Sequence, residues 1–400
     1  MKTRILPNKT TDVILNKRTV FSSITDIPSG DWNRVQNGRN IYLSLPYLSA
    51  LEQGMGGELN FFFSISYNAQ NEPVLIAVFV RVKFVDKRKR FGDSVFKLRF
   101  PFKKKLQNIL SINALACGNV FSAGENGMLW TDKLQAQDAF EEAERVHQIL
   151  MTDHDVNKEV SLRVFKDFWP ETVPHSNTLI QQGFFDFKID VNMVLKIHKD
   201  WKTKNDYLLS MKTKFRTRAN AVYRRSEPLM VKSFNPEEII SHKDRILFLF
   251  DNVLEKSDFH IGTMTPETFA ACKKNLGEDF LFKAYFSKDL LVGFSTSFKN
   301  AISFDANYVG LDYDNNVEFD IYQRILYDYV EEAIKANVTE LQFGRTSELI
   351  KSAVGAEPRD MTIYIKHKRK LSNLILKNVI QSVAPSPFEL RKPFKANFKQ

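Results

Sequence analysis

The chain carries the stretch Phe343-Gly344-Arg345-Thr346-Ser347-Glu348-Leu349-Ile350-Lys351, which decides how its second half folds, and Gly355-Ala356-Glu357-Pro358 follows shortly after. Apolar residues up to Phe343 predict a strand that ends at a Gly-Arg-Thr corner and leads into a short helix. Thr346 or Ser347 can cap that helix, and Glu348 lies in its first turn, where the helix dipole favours a negative charge. The stretch therefore predicts a strand, a tight corner and a helix.

The corner also brings cationic and backbone donors together. Gly344, Arg345, Thr346 and Lys351 supply free backbone N–H groups, a guanidinium and an ammonium within nine residues. Such a set is suited to a phosphate, a pyrophosphate or a carboxylate. An ordinary β–α turn with solvated Arg and Lys side chains fits the same pattern equally well. The residues predict an anion site, with the plain turn as the open alternative.

Length and composition describe a folded protein of two domains. The chain has 400 residues, of which 43% are hydrophobic and 26% charged. That length predicts two domains of roughly 170–200 residues each. Cys117 and Cys272 are far apart and have no metal-ligand spacing, so free thiols in a reducing compartment are expected. No secretory signal is visible in Met1–Thr19, and no stretch approaches the roughly 18–20 apolar residues of a membrane span. A cytoplasmic location is expected.

The charge balance points to an anionic partner. The formal net charge is +10 and the pI is near 9.3. A nucleic acid, a nucleotide, CoA or a membrane surface would each match it, so a peripheral membrane contact stays open. The excess is concentrated in four places, which are Lys83–Arg99, Lys103–Lys105, Lys199–Arg225 and the chain from Lys366 onward.

The order of predicted elements repeats after about 190 residues. In each half a hairpin is followed by a strand, a helix, a strand, a short helix and a further strand. In the first half these elements cover 61–67, 74–84, 109–130, 133–151, 160–165 and 184–197. In the second half they cover 280–286, 290–298, 302–311, 317–336, 339–343 and 361–366.

A basic helix is predicted between the halves, from Lys202 to Ser226. Its apolar residues keep helical spacing, so one face packs while the other is densely basic. Eight basic residues with a single acid exceed a normal mixed face, which favours a polyanion contact over a solvated surface. Lys212, Arg216 and Arg224 are the candidates there for binding tRNA or a phosphate-bearing substrate. The tail from Ala384 is basic and contains proline, and poor order is expected.

Several segments together resemble a known family. Four parts of the chain are similar to segments of Fem-like proteins. They are Asp31-Trp32-Asn33 with Tyr42–Glu52, Cys117–Val120 with Gly124–Gly127, the basic segment from Tyr207 to Arg218, and Phe343–Thr346 with Lys351 and Gly355–Pro358. These are peptidoglycan-biosynthesis-type acyltransferases of the GNAT superfamily. The resemblance covers residues from about Asp31 to Lys370, and the order of the motifs carries it more than any single motif.

The resemblance implies an α+β fold of two tandem GNAT-like domains, each a twisted mixed sheet flanked by helices. The predicted division is an N-terminal domain over 1–200, a C-terminal domain over 201–383 opened by the basic helix, and a basic, Pro-containing tail over 384–400. The resemblance also implies transfer of an acyl or aminoacyl group to an amine. The co-substrate would be acyl-CoA or aminoacyl-tRNA, and no cofactor would be bound permanently.

The donor is left open by two conflicting features. The segment Val309–Asn316, where CoA-binding GNAT domains carry a Gly-rich pyrophosphate loop, has one glycine and two aspartates, and carboxylates repel a pyrophosphate. However, no long helical hairpin for tRNA is evident between the halves. The acceptor would be an amine of a cell-envelope precursor, an amino sugar or an amino lipid.

Candidates for proton transfer lie near the fourth strand of the second half. Amine acyl transfer needs an oriented carbonyl, a neutral amine and a group or water that takes the proton. Tyr308, Asp312 and Glu318 are the candidate catalytic residues. A solvated turn carboxylate is the alternative for Asp312, and a core aromatic is the alternative for Tyr308. The seven histidines show no metal spacing, so no metal site is predicted.

A second class of function stays open. A non-catalytic protein that binds RNA or a nucleotide on a decayed GNAT fold would also explain the basic helix and the poor CoA loop. Such binding would depend strongly on salt.

Overall fold

The structure, a computed structural model, describes residues 4–6, 15–55, 59–83, 113–188, 190–256, 264–381 and 388–398. Apart from Lys83, the basic clusters predicted at Lys83–Arg99 and Lys103–Lys105 lie outside the described residues, as do both ends of the predicted tail. The chain forms two compact units. The first comprises Met1–Asp190, Phe259–Met264 and Asp360–Pro385, and the second comprises Val191–Asp258, Thr265–Arg359 and Ser386–Gln400.

The first unit is built on a mixed sheet. Its strands are β1 (Arg4–Leu6), β2 (Leu15–Phe21), β3 (Asn60–Asn68), β4 (Pro73–Lys83), β5 (Asn113–Cys117), β6 (Met128–Trp130), β7 (Leu162–Phe168), β8 (Phe185–Phe187) and β16 (Thr362–His367). Their order is β1-β2-β3-β4-β5-β7-β16-β8, with β6 also paired to β4. β5 and β7 run parallel, and the other pairs are antiparallel.

Helices flank this sheet. They are Ser29–Gln36, Leu45–Met55, Ala136–Leu150, His154–Glu159, Val173–Ser176, Thr178–Gln181 and Lys370–Gln381. The longest, Ala136–Leu150, packs Phe140, Ala143 and Val146 into the core against β4 and β7. Buried ion pairs accompany that packing, because Glu142 accepts two hydrogen bonds from the guanidinium of Arg18, at 2.7 and 2.9 Å.

The second unit has a seven-stranded sheet. Its strands, in order, are β10 (Met230–Ser233), β11 (Phe280–Ser287), β12 (Leu290–Asn300), β13 (Ser303–Leu311), β14 (Glu340–Gln342), β9 (Val191–Lys196) and β15 (Glu357–Asp360). β13 and β14 are parallel. The helices are Lys204–Ser210, Thr213–Arg225, Pro236–Ser241, Lys243–Lys256, Pro266–Leu276, Tyr313–Phe319, Ile321–Lys335 and Glu348–Ala353.

The predicted fold class is confirmed: two mixed sheets are each flanked by helices, and the order of elements repeats. Both predicted hairpins are antiparallel pairs, β3 with β4 and β11 with β12. They were predictable because apolar residues fill these strands and short polar turns bound them.

Two predicted helices are each divided in the structure. The helix predicted over 317–336 is two helices, because Asp320 adopts a left-handed conformation with φ of 52°. The basic helix predicted over 202–226 is also two, because Met211 is extended and forms an isolated bridge with Phe394. A residue outside the helical region ends the hydrogen-bond ladder in each case.

Two strands belong to a different unit from the one that the predicted boundaries give them. β9, within the predicted domain 1–200, lies in the second unit's sheet between β14 and β15. β16, within the predicted domain 201–383, lies in the first unit's sheet between β7 and β8. The compact units therefore differ from the predicted boundaries: residues 191–200 belong to the second unit and residues 360–383 to the first.

The C-terminal tail contradicts the expectation of poor order over residues 388–398. Phe394 is 8% exposed and packs against the rings of Trp201 and Tyr207, at centroid distances of 5.3 and 6.0 Å. Its ring lies directly on Gly355, where a β-carbon would be 2.3 Å from the ring. The tail is thus part of the second unit's core. No helix among the described residues is long and apolar enough to cross a membrane.

Candidate functional site

The parallel strands β13 and β14 part from each other in the middle of the second sheet. They pair only over three positions, and the last is Asp305 with Gln342. β13 then continues to Leu311, whereas Phe343 and Gly344 bond to Met193 of β9 instead. The carboxyl ends of the two strands therefore diverge. Such ends are common ligand sites in sheets with parallel strands.

The hydrogen-bond pattern shows which backbone groups face this opening. Asp312 N–H donates to Val292 O of β12 at 2.9 Å. Hydrogen-bonded pairs alternate along an antiparallel pair, so Gly310 again bonds β12. The backbone groups of Val309 and Leu311 therefore point to the other edge, and Leu311 O indeed accepts from Asn252 Nδ2 at 3.0 Å. β14 does not pair with this part of β13.

A bulge shapes β13 at the opening. The register with β12 shifts between Ser295 and Ser297, because β13 has an extra residue there. The Thr296 hydroxyl secures the bulge, since its Oγ1 accepts from Tyr308 N–H at 2.9 Å. Tyr329 O–H donates to Thr296 O at 3.0 Å from the helix Ile321–Lys335. Bulges of this kind re-aim backbone groups and are frequent next to functional sites.

The Gly-Arg-Thr corner follows β14 and is built from left-handed residues. Gly344, Thr346 and Ser347 have φ of 71°, 62° and 57°. Such values are costly for a β-branched residue such as Thr346. The predicted cap is wrong: Ser347 occupies the N-cap position, but no side chain makes the capping hydrogen bond. Tyr322 instead hydrogen-bonds Ser347, which joins the corner to the helix Ile321–Lys335.

Lys351 serves the corner from inside. Its side chain is buried, and its Nζ donates to Gly344 O at 3.3 Å and to Arg345 O at 2.5 Å. The ammonium thereby holds the backbone of the corner in place, and at most one of its three donors remains for another partner. Arg345 is half-buried at the corner. The structure thus brings Gly344, Arg345, Thr346 and Lys351 together.

Tyr308 lies in an aromatic environment on the far face of β13. Its ring contacts Phe250 and Phe269, with centroids 5.3 and 5.7 Å away. Burial raises the pKa of Tyr308 well above its usual value, and the nearby Cys272 adds to the shift. The hydroxyl therefore stays protonated. Of the two roles considered for Tyr308 from the sequence, its position matches that of a core aromatic residue.

Asp312 caps the helix Tyr313–Phe319. Its carboxylate accepts from Asn315 N–H at 3.3 Å and from Arg245 Nη2 at 2.7 Å. Burial alone would raise the pKa of Asp312, but the hydrogen bonds from Asn315 and Arg245 outweigh it and lower the pKa. A carboxylate with a lowered pKa is a weak base. Glu318, in the same helix, is exposed.

The basic helix Thr213–Arg225 is partly engaged by the chain itself. It packs through Ala219 and Val222. Lys212 precedes it, and its Nζ donates to Lys392 O of the tail at 2.9 Å. Arg225 forms an ion pair with Asp320. Among the predicted anion contacts here, Arg216 is half-buried and Arg224 is exposed.

The glycine-rich loop of the first unit is closed by its own contacts. Asn126 Nδ2 donates to Ser122 Oγ and Ala123 O, both at 2.8 Å. Glu125 Oε1 accepts from Trp169 N–H at 2.6 Å. Glycine is needed because the loop packs tightly, as a β-carbon at Gly124 would lie 2.8 Å from the Trp169 ring. These contacts describe a packed loop rather than a phosphate cradle.

Sequence patterns did not single out several residues around the opening. Tyr322 and Tyr329 are seven residues apart on one helix face, and such spacing by itself favours packing of the helix. Burial raises the pKa of Tyr322, although its hydrogen bond with Ser347 acts in the opposite direction. Gln342 Oε1 accepts from Asn192 Nδ2 at 2.8 Å where the strands part. Two tyrosines at that spacing were the available signal. Among the described residues, no three His, Cys, Asp or Glu side chains could hold a metal ion.

Comparison with solved structures identifies the architecture. FemX matches over 89% of this chain and 98% of its own, with a TM-score of 0.54 and 9% identity. The architecture is Fem-like. L-PGS from Bacillus licheniformis (10% identity, 84% of this chain, 96% of its own, TM-score 0.46) and a GCN5-related N-acetyltransferase from Sphaerobacter thermophilus (10%, 77%, 81%, 0.40) also match. No family model matches the sequence, and no curated protein does.

Proposed function

We propose that this protein is an acyl- or aminoacyltransferase that moves an acyl group from a donor to an amine. The observation that supports it is the parting of β13 from β14. An extended, amide-containing chain can add to an exposed strand edge through main-chain hydrogen bonds. The backbone groups of Val309 face that edge, so they are the proposed contacts for the acyl arm of the donor. The Fem-like architecture is compatible with this chemistry.

The reaction needs only one proton to be moved. The amine nitrogen attacks the donor carbonyl, the bond from the carbonyl carbon to the leaving sulfur or oxygen breaks, and the amine proton ends on the leaving group. Tyr322 is the proposed proton donor to that group, since its side chain hydrogen-bonds Ser347 of the corner. Water takes the proton from the amine and passes it to the Tyr322 oxygen, which restores the hydroxyl. No covalent enzyme intermediate is required.

The donor is proposed to be a CoA thioester or an aminoacyl-tRNA, both of which are anionic. Arg345 at the corner and the cations of the basic helix, Arg216 and Arg224 with Lys212 at its start, are the proposed phosphate contacts. The proposed acceptor is an amine of a cell-envelope precursor, an amino sugar or an amino lipid. The non-catalytic RNA-binding alternative is not favoured, because it gives no role to the opening where β13 parts from β14.

The three residues predicted as catalytic receive different roles in this proposal. Tyr308 and Asp312 are proposed as positioning residues. Tyr308 packs under the bulge. Asp312 joins the end of β13 to Arg245, whose Nε also donates to Leu291 O at 2.8 Å. Glu318 stays a prediction, since it is exposed and no contact assigns it a role.

A matched pair of substitutions at Val309 tests the proposal. Val309→Pro removes the N–H that faces the opening and leaves the pairing with β12 intact, whereas Val309→Ala keeps that N–H. Thermal unfolding is measured with acetyl-CoA, long-chain acyl-CoA and charged tRNA. A donor at a hundredfold excess over its Kd stabilises the native state by about 2.7 kcal/mol. We expect this stabilisation, and acyl transfer to an amine, in wild type and Val309→Ala only.

A Tyr322→Phe variant separates binding from chemistry. Donor stabilisation should persist in it, while the transfer rate falls by about 10²–10⁴-fold. Equal stabilisation of Val309→Pro and wild type would refute the site. The absence of stabilisation by all three donors would refute the function.

A further inference from the structure

The helix Lys370–Gln381 of the first unit presents three apolar side chains outward. Leu371, Leu374 and Ile375 are 79%, 64% and 66% exposed. Their spacing places them within about 100° of arc on one face of the helix. Helices on the surface of globular proteins normally turn such a face toward the core. These three side chains are called the outer face below.

The opposite side of this helix is the one that docks. Asn373 Nδ2 donates to Gly183 O at 3.1 Å, and Asn373 Oδ1 accepts from His367 N–H at 2.8 Å. Leu376 packs against the buried cluster that contains Ile365. The orientation of the helix is therefore set by its own contacts, and the outer face is a fixed feature.

Three strongly exposed apolar residues of the second unit are separated from one another in the chain. Leu290, Ile302 and Val317 are 49%, 68% and 80% exposed, and they lie on β12, on the turn after it and on the helix Tyr313–Phe319. Single exposed apolar side chains are common in proteins, whereas contiguous ones mark interaction surfaces. The outer face belongs to the second kind.

Positive charge adjoins the outer face. Lys368, Arg369 and Lys370 precede Leu371 directly, and all three are exposed. Lys368 Nζ donates to Asn157 O, while Arg369 and Lys370 form no ion pair with any described residue. An apolar face flanked by cations matches the boundary of an anionic bilayer, where acyl chains and headgroup phosphates lie within one side chain of each other.

Charge also argues against other occupants. Residues 84–112 contain nine Lys and Arg against two Asp, so this segment has the same sign as the flank of the helix. A second copy of the chain would bring the same cations against themselves. A nucleic acid would neutralise the cations but leave the apolar side chains without a partner.

We propose that the outer face and its cationic flank dock the protein on an anionic lipid surface. The inference is independent of the proposed transferase activity. Leu371, Leu374 and Ile375 enter the acyl boundary, and Arg369 and Lys370 bind headgroup phosphates. The helix lies in the plane of the surface and does not span it.

Vesicle flotation with the full chain tests this surface. The vesicles are pure phosphatidylcholine or phosphatidylcholine with phosphatidylglycerol, at low and high salt. Wild type should float with the anionic vesicles, and high salt should weaken binding. The variant L371Q/L374Q/I375Q should lose more than about tenfold in partitioning, because each apolar side chain contributes on insertion. R369E/K370E should lose at least about thirtyfold on anionic vesicles only.

A matched control carries the same number of changes elsewhere. L290Q/I302Q/V317Q removes three exposed apolar side chains of the second unit, and it should float like wild type. Equal flotation of the outer-face variant and this control would overturn the proposal. So would a lowered melting temperature of the outer-face variant, which would mean that the face is covered within the chain. A wild-type dimer that becomes a monomer in that variant would overturn it as well.

Discussion

Replacing Gly355 by alanine should displace the C-terminal tail or strain the core beneath it. Gly355 has φ of 101°, where an L-residue costs about 1–2 kcal/mol. The added β-carbon would also lie 2.3 Å from Cε2 and Cζ of Phe394 and 3.2 Å from Leu195 Cδ1. The Phe394 ring cannot simply move away, because Trp201 and Tyr207 lie against it. Overpacking of this kind costs about 1–3 kcal/mol, so the total is about 2–5 kcal/mol.

The assay is urea unfolding of four proteins: wild type, Gly355→Ala, Phe394→Ala and the double variant. Because the clash needs both side chains, the double variant should be more stable than the sum of the two single losses predicts, by about 1–3 kcal/mol. Gly38→Ala is the matched control, since Gly38 has φ of 69° and nothing within 4 Å of its β-carbon position. It should lose only the backbone cost, about 1–2 kcal/mol. Strictly additive losses, or a Gly355→Ala protein as stable as wild type, would refute the packing described for Phe394.

Three further predictions concern buried groups. Glu142→Gln should cost about 3–5 kcal/mol in urea unfolding, because it leaves the Arg18 guanidinium buried without its carboxylate; the double change Arg18→Met with Glu142→Leu should cost much less, and equal losses would contradict the ion-pair assignment. Burial, with the charge of Arg163, holds the pKa of His147 well below its usual value, so the unfolded chain binds the extra proton. The stability that His147 contributes is then present above about pH 6.5 and is lost as the pH falls below it, by up to about 1.4 kcal/mol per pH unit, and His147→Phe should flatten this slope. Cys117 and Cys272 are buried and burial raises the pKa of both thiols, so a thiol reagent should label the native protein slowly and both residues quickly in denaturant; rapid native labelling would count against the burial.

Local patterns in the sequence were enough to predict both hairpins. The hairpins β3–β4 and β11–β12 follow from apolar runs bounded by polar turns, which depend on neighbouring residues only. The sheets in which β9 and β16 lie could not be predicted in the same way. Each pairs with strands far away in the chain, and a short apolar run does not specify its partner.

The sequence predicted which types of residue lie at the candidate site, but not what each residue does there. Lys351 was expected to meet an anion, yet its ammonium holds the carbonyls of Gly344 and Arg345. The sequence shows that a residue is basic, but it does not show whether its partner is a ligand or a nearby backbone carbonyl. The opening between β13 and β14 depends on where pairing stops, which no residue pattern marks. The sequence therefore gives no reason to single out Tyr322.

The position of β16 has a consequence for how the chain is made. β16 separates β7 from β8 in the first unit's sheet, and it lies almost two hundred residues downstream of β7. A ribosome adding roughly 5–20 residues per second needs on the order of ten seconds or more to reach it. During that interval β7 keeps an unpaired edge and β8 has no neighbouring strand. The sheet that begins at the amino terminus is therefore incomplete until most of the second half has been synthesised.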